Sequence, residues 1–132
     1  IMADIDNLKA INDTYGHRAG DRVIREISRR IKECIRQIDL AARYGGDEFG
    51  IILPSTSLEE AILVSQRIVE SVSASPVCWQ SVRVPLSISV GVGQYGADAN
   101  PEDITNRSDR ALYSAKQSGK NTVWVFGSPN GQ

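Results

Sequence analysis

The chain has 132 residues, 41% of them hydrophobic, with 15 Lys and Arg against 16 Asp and Glu for a net charge of −1, which fits one domain able to bury its own core. The near-neutral balance excludes a general polyanion binder, so no nucleic acid polymer is expected as partner and any phosphate ligand must be gripped locally. No apolar run is long enough to span a bilayer, so no membrane contact is expected of this domain, and two cysteines without metal or scaffold spacing, Cys34 and Cys78, point to reduced thiols and a cytoplasmic setting.

Residues Ile1 to Ile5 predict a short buried strand. The chain opens mid-strand with no preceding cap, as expected of a piece excised from something longer. Asp4-Ile5-Asp6 ends that strand, where acids face a cleft; one of the two aspartates fits as the cap of the helix that follows, and the other stays free for chemistry. Leu8 to Ile11 predicts a short helix, broken by the turn formers Asn12 to His17 in a loop that closes at Gly20-Asp21. A long amphipathic helix follows, with Val23, Ile24, Ile27, Ile31, Ile35 and Ile38 on one face and Arg25, Glu26, Arg29, Arg30, Lys32 and Arg36 on the other.

Leu40 to Tyr44 and Phe49 to Leu53 predict two strands around Gly45-Gly46, a favoured tip for a tight hairpin. Ser57-Leu58-Glu59-Glu60 is a capping box that opens a helix carrying Ile62, Ile68, Val69 and Val72 inward. Val77 to Trp79 and Val82 to Val84 read as short extended pieces, and Leu86, Ile88, Val90 and Val92 alternate with serine and glycine as a half-buried or helix-packed strand. Asn100-Pro101 starts a further helix with Ile104, Ala111, Leu112 and Ala115 on one face and a stop at Ser118-Gly119. Thr122 to Phe126 closes as a strand before a polar tail over 127–132. This order predicts one α/β (α+β) domain over residues 1–132, a central mostly antiparallel or mixed sheet with helices covering one side.

The chemistry gathers at the hairpin. Asp47 and Glu48 stand beside two glycines whose missing side chains let a large ligand approach the backbone. Adjacent carboxylates can hold a divalent cation or take a proton; the bland alternative is a solvated acidic turn. If the first strand neighbours this hairpin, Asp4 and Asp6 converge on Asp47 and Glu48, and the Ile5 carbonyl completes a set of oxygens suited to magnesium.

Three blocks in order then resemble one family. Gly45-Gly46-Asp47-Glu48-Phe49, the run Asp4 to His17 with Gly20-Asp21, and Ala111 to Lys116 through Gly119-Lys120-Asn121 are similar to the GGDEF domain, the catalytic module of diguanylate cyclases. The resemblance implies a fold like the palm of polymerases and class III nucleotide cyclases. It implies condensation of two GTP into cyclic di-GMP with release of two pyrophosphates, by an antiparallel homodimer in which each domain presents one GTP.

By the same resemblance, Asp4, the Ile5 carbonyl and Asp47 hold magnesium, with manganese as the alternative cation. Asn12 and Asp21 read guanine, while Asn7, Leu8, Lys9, Lys116 and Lys120 meet the phosphates. Lys116 and Lys120, four apart, are expected on one helix face. The proton of the attacking 3′-hydroxyl goes to Asp47 or Glu48, between which the sequence does not choose. Arg36-Gln37-Ile38-Asp39 resembles the inhibitory site for cyclic di-GMP, with Arg67 in support, against the plainer reading of a surface ion pair.

Departures are Leu8 where phenylalanine is usual, Lys120 where arginine is commoner, and no trace of the family's preceding helix or sensory segments. Two rival classes are a degenerate domain that binds cyclic di-GMP without making it and a structural or GTP-sensing dimerisation module.

Overall fold

In the computed structural model, which describes residues 1–97 and 100–129, the apolar opening forms β1 (Met2–Ile5), followed by α1 (Leu8–Tyr15) and α2 (His17–Cys34). The strands β2 (Leu40–Arg43) and β3 (Glu48–Ile52) flank the glycine pair and lead to α3 (Leu58–Ser73). A separate two-stranded ribbon is made by β4 (Val77–Trp79) and β5 (Val82–Val84). Then come β6 (Ile88–Val92), α4 (Pro101–Gln117) and β7 (Val123–Val125). Of the polar tail expected over 127–132, residues 130–132 lie outside the described residues.

The main sheet has five strands in the order β2-β3-β1-β6-β7. Every pairing is antiparallel except β6 with β7, which is parallel and joined through α4. The sheet is therefore mixed, and β1 lies at its centre.

Helices cover both faces, not one. Ala3, Ile5, Phe49, Ile51, Val90 and Val92 share a core with Val23, Ile27 and Ile31 of α2 and Ile68 and Val72 of α3. On the other face, Met2 stands between Gly50 and Gly91 in the register. A methyl group at Gly91 would lie 2.2 Å from both the Leu112 amide nitrogen and the Ser108 carbonyl oxygen of α4. The alternation of serine and glycine with isoleucine and valine along β6 thus marks a strand buried on both sides. Its small residues admit a helix backbone where larger ones would hold it off.

Local boundaries differ from the sequence reading in three places. Asn12 to Tyr15 continue α1, and only Gly16, at φ 90°, separates it from α2. Polar residues of low helix propensity are carried here because Leu8 and Ile11 are buried and Tyr15 packs against the core. Second, α2 ends at Cys34; Ile35 is extended, and Ile38, counted on the apolar face, is 65% exposed beyond the helix. Arg30, counted on the solvent face, is buried and donates to the carbonyls of Ser71, Val72 and Ser75, capping α3. Third, neither Gly45 nor Gly46 has positive φ. The hairpin is not a two-residue turn: pairing ends at Arg43 with Phe49, and the amides of Tyr44 and Gly45 both donate to the Glu48 carbonyl at 2.8 and 3.3 Å.

The expected capping box of α3, Ser57 with Glu60, is present, and the expected N-cap of α4, Asn100, proves to be half of a second box with Asp103. On α2, the hydrogen bonds of Arg29 foremost, joined by Arg30 and the charges of both, overcome the upward push of burial and hold the Glu26 carboxyl down at about 2. A folded-state value below the unfolded one contributes stability in full above the unfolded value, near 4.5, and loses it as pH falls towards about 2. Acid unfolding followed by circular dichroism should therefore show a slope across that window that flattens in Glu26→Gln.

Candidate active site

The antiparallel register of β1 and β3 sets Asp4 directly opposite Glu48, and the Ile5 amide donates to the Asp47 carbonyl at 2.9 Å. The two acidic clusters of the sequence are therefore neighbours at one end of the sheet. Burial raises the Asp4 carboxyl above its ordinary value, and the charges of Asp47 and Asp6 add to this while Lys116 opposes it. Glu48 is raised as well, by burial first and then by the charges of Asp4, Asp47 and Asp109. A carboxylate pushed upward among like charges is a better proton acceptor than a free one.

Asp6 is 3% exposed. One oxygen accepts from the Ser89 hydroxyl at 2.7 Å and Lys116 Nζ at 2.8 Å, the other from the Ser87 hydroxyl at 2.8 Å and the Asn121 amide at 3.0 Å. These bonds, led by those of Lys116 and Ser89, outweigh burial and hold its carboxyl below the ordinary value. Neither Asp4 nor Asp6 caps α1, whose N-cap is Asn7 in a left-handed conformation with no side-chain capping bond. The capping role expected for one of them gives way because Asp6 turns inward to four donors.

Lys116 reaches this cluster from the last turn of α4. Its ammonium pairs with the carboxylates of Asp4 and Asp6 and donates to the carbonyls of Asp4 at 3.4 Å and Ile5 at 3.3 Å. Burial works against its charge, but the bonds from Asp4 and Asp6 prevail and raise its value. A positive group thus already collects the oxygens of Asp4 and Ile5 assigned to a divalent cation, so the donor set fits one. Among the described residues, no group of three or more His, Cys, Asp or Glu side chains is placed to hold a metal alone. Magnesium is commonly held through one or two carboxylates, with phosphate oxygens or water as its other ligands.

Lys120 does not lie on the helix with Lys116. α4 ends at Gln117, Gly119 takes φ 119°, and the Lys120 amide returns to the Ala115 carbonyl at 3.1 Å, a Schellman-type turn. The turn still brings Lys120 to the site, where Nζ donates to Asn7 Oδ1 at 2.6 Å. Beside it, Leu8 is buried and Lys9 is exposed in the first turn of α1, whose leading amides have no side-chain cap.

Asn12 and Asp21 are placed near each other across the α1–α2 junction. Asn12 Oδ1 packs over Gly20, the residue before the exposed Asp21, so closely that a methyl group at Gly20 would sit 1.8 Å from it. That oxygen is buried and accepts no hydrogen bond, the one such side-chain atom among the described residues. In the hairpin loop, a methyl group at Gly46 would meet nothing within 4 Å. Arg43 staples this loop by donating to the carbonyls of Gly45 and Gly46 at 3.0 and 3.1 Å.

The Arg36 side chain bridges Asp39 at 2.8 Å and donates to Thr56 Oγ1 at 2.7 Å and the Pro54 carbonyl at 3.1 Å. Arg67 caps the end of α2 by donating to the Cys34 carbonyl. The structure thus brings Arg36 and Asp39 together and sets Arg67 beneath the helix end just before them. A cavity of about 700 Å³ lies in a different place: an apolar groove lined by residues such as Met2, Leu40, Tyr44, Ile52, Tyr95 and Ile104.

Sequence reading missed the anchoring of Asp6, the Arg43 staple and the part of Asn121. Ser87 and Ser89 share a face by period two, which is a signal, but only the β1–β6 register shows that this face meets Asp6.

The molecule is thus a mixed, palm-like sheet with helices on both faces and with acids converging on adjoining central strands. The family model described as "Diguanylate cyclase, GGDEF domain" matches residues 1–122, and the chain belongs to the GGDEF domain family. It is 45% identical over 124 residues to Diguanylate cyclase A of Treponema denticola, covering 93% of this chain and 33% of that protein. It is 41% identical over 126 residues to the response regulator PleD of Caulobacter vibrioides, covering 93% of this chain and 28% of that one. The chain thus spans about a third of the length of these relatives. Among solved structures, the GGDEF domain of DgcB from Caulobacter crescentus in complex with c-di-GMP superposes with a TM-score of 0.92 at 32% identity, over 96% of this chain and 76% of that one. The diguanylate cyclase SiaD of Pseudomonas aeruginosa, in complex with its activator SiaC, gives 0.90 at 38% identity, over 94% and 48%.

Proposed function

We propose that this domain is a diguanylate cyclase, joining two GTP into cyclic di-GMP with loss of two pyrophosphates. The observation that carries the reading is the register placing Asp4 opposite Glu48 and beside Asp47, with Lys116 and Lys120 converging on the same strand end. Asp4, the Ile5 carbonyl and Asp47 would hold magnesium or manganese, which when bound neutralises triphosphate charge.

The chain's own groups do the rest. Lys116, Lys120, Lys9 and the amides after Asn7 bind phosphate oxygens, the helix start serving as an anion site. Asn12 hydrogen-bonds the guanine beside Asp21, whose two carboxylate oxygens accept from N1–H and the amino group. Adenine lacks this donor pair and leaves both acceptors unpaired, which is the basis of discrimination. The open space over Gly46 admits the guanosine.

One domain positions a 3′-hydroxyl and Asp47 or Glu48 takes its proton. The oxygen forms a bond to the α-phosphorus of the GTP on the partner as the bond to pyrophosphate breaks. Each ring needs both events, hence an antiparallel homodimer, and free domains that meet only by diffusion cyclise slowly. Cyclic di-GMP at Arg36 and Asp39, supported by Arg67, would restrain the pair by displacing Arg36 from its bonds to Thr56 and Pro54. We place the domain in the cytoplasm, where GTP is supplied; no helix among the described residues is long and apolar enough to cross a membrane.

The test is incubation of a covalently dimerised form with GTP and magnesium, with cyclic di-GMP followed by chromatography. Product is expected. Its absence, with cyclic di-GMP still bound by the intact protein and lost in Arg36→Ala, would replace the cyclase with a receptor.

A further inference from the structure

Lys116 makes more contacts than a phosphate ligand awaiting substrate needs. Its side chain is 23% exposed, and its ammonium, with three protons to give, faces four oxygens: one carboxylate oxygen each of Asp4 and Asp6, and the carbonyls of Asp4 and Ile5. These oxygens fall into two groups. Asp4 and the Ile5 carbonyl are the donors that suit a divalent cation. Asp6 is different, because both its oxygens are already fixed by Ser87, Ser89 and the Asn121 amide. It is a buried carboxylate that stays in place whatever Lys116 does.

We propose that Lys116 is the resident counter-cation of the acid cluster, competing with a divalent cation for Asp4 and the Ile5 carbonyl, and that Asp6 is the positioning residue that tethers it during the exchange. The inference rests on the reading that this cluster binds a divalent cation. Two positive charges cannot share the same oxygens without strong repulsion, so entry of a divalent ion moves Nζ off Asp4 and Ile5. Asp6, bonded to Nζ at 2.8 Å, keeps the ammonium at the edge of the site, where a triphosphate offers new acceptors. The coupling is reciprocal: Lys116 weakens metal binding without nucleotide, and metal frees Lys116 for phosphate. A single side chain thereby favours binding of metal and triphosphate together over either alone.

The test measures Mn2+ alone, without nucleotide, by electron paramagnetic resonance. Lys116→Met should bind Mn2+ about 5- to 150-fold more tightly than the wild type, the span usual for such coupling. Equal or weaker binding by the variant would overturn the competition and leave Lys116 a phosphate ligand only. Failure of both proteins to bind Mn2+ would overturn the cation reading of the cluster, and this inference with it.

Should Lys116→Met not fold, the wild type decides the matter. Its ε-13C-lysine spectrum, with Lys116 assigned by the signal lost in Lys116→Arg, is expected to shift that signal on addition of Mg2+ alone. An unmoved signal at saturating Mg2+ would overturn the proposal.

Discussion

Asp47→Ala is expected to lower cyclic di-GMP formation by a dimerised form of the domain by about 10²- to 10⁴-fold, the usual worth of a positioned acid or base, with the urea unfolding midpoint unchanged. The structure separates the two effects. What Asp47 gives the fold is its backbone carbonyl, which accepts from the Ile5 amide at 2.9 Å and survives the substitution. Its side chain makes no hydrogen bond or ion pair among the described residues, so the carboxylate is free for chemistry. Loss of product together with a lowered midpoint would mean that the residue is structural.

Glu48→Gln beside it resolves the proton acceptor. Burial and the charges of Asp4, Asp47 and Asp109 raise Glu48, so if it takes the proton the rate climbs with pH through that raised value, and the glutamine variant loses the climb. A climb that survives in Glu48→Gln would remove Glu48 as the acceptor.

The second large effect falls on stability. Gly91→Ala is expected to cost about 3 kcal/mol or more, read as a lowered urea midpoint at unchanged slope. The added methyl would meet the Leu112 amide and Ser108 carbonyl at 2.2 Å and the Leu112 Cα at 2.8 Å. These are backbone atoms of α4, which cannot rotate away as a side chain would. The helix must lift from the sheet, and since Lys116 sits on its last turn, cation and phosphate binding should fall with it. A midpoint within 0.5 kcal/mol of wild type, the range of an ordinary surface change, would show that α4 is not so tightly seated.

Much of this was legible in the residues. Strands were readable where apolar residues run or alternate, and α3 and α4 where Ser57-Glu60 and Asn100-Pro101 announce them. The acids Asp4, Asp47 and Glu48 could be paired only on the condition that their strands adjoin, a condition that the β1–β3 register meets. What stayed hidden depends on tertiary contact. Asn12 to Tyr15 look like turn formers because propensity knows nothing of the core beneath Ile11 and Tyr15. Arg30 looks solvent-facing because its partners, the last carbonyls of α3, come some 41 residues later or more. Ser89 reads as a strand spacer because the aspartate that claims it lies 83 residues away.

The central position of β1 bears on how the chain comes to fold. Its residues pair with residues 48–50 of β3 and 88–91 of β6, so one edge of β1 waits for the hairpin and the other for β6, both far along the chain. Closing loops of that size is entropically slow, and topologies dominated by such non-local pairing reach their transition state late. Asp4 and Glu48 repel, and no local turn forces them together. They are united by the same long-range event that completes the sheet, so a nascent or partly unfolded chain presents scattered carboxylates, and the proposed affinity for cation and nucleotide arises only with the finished fold.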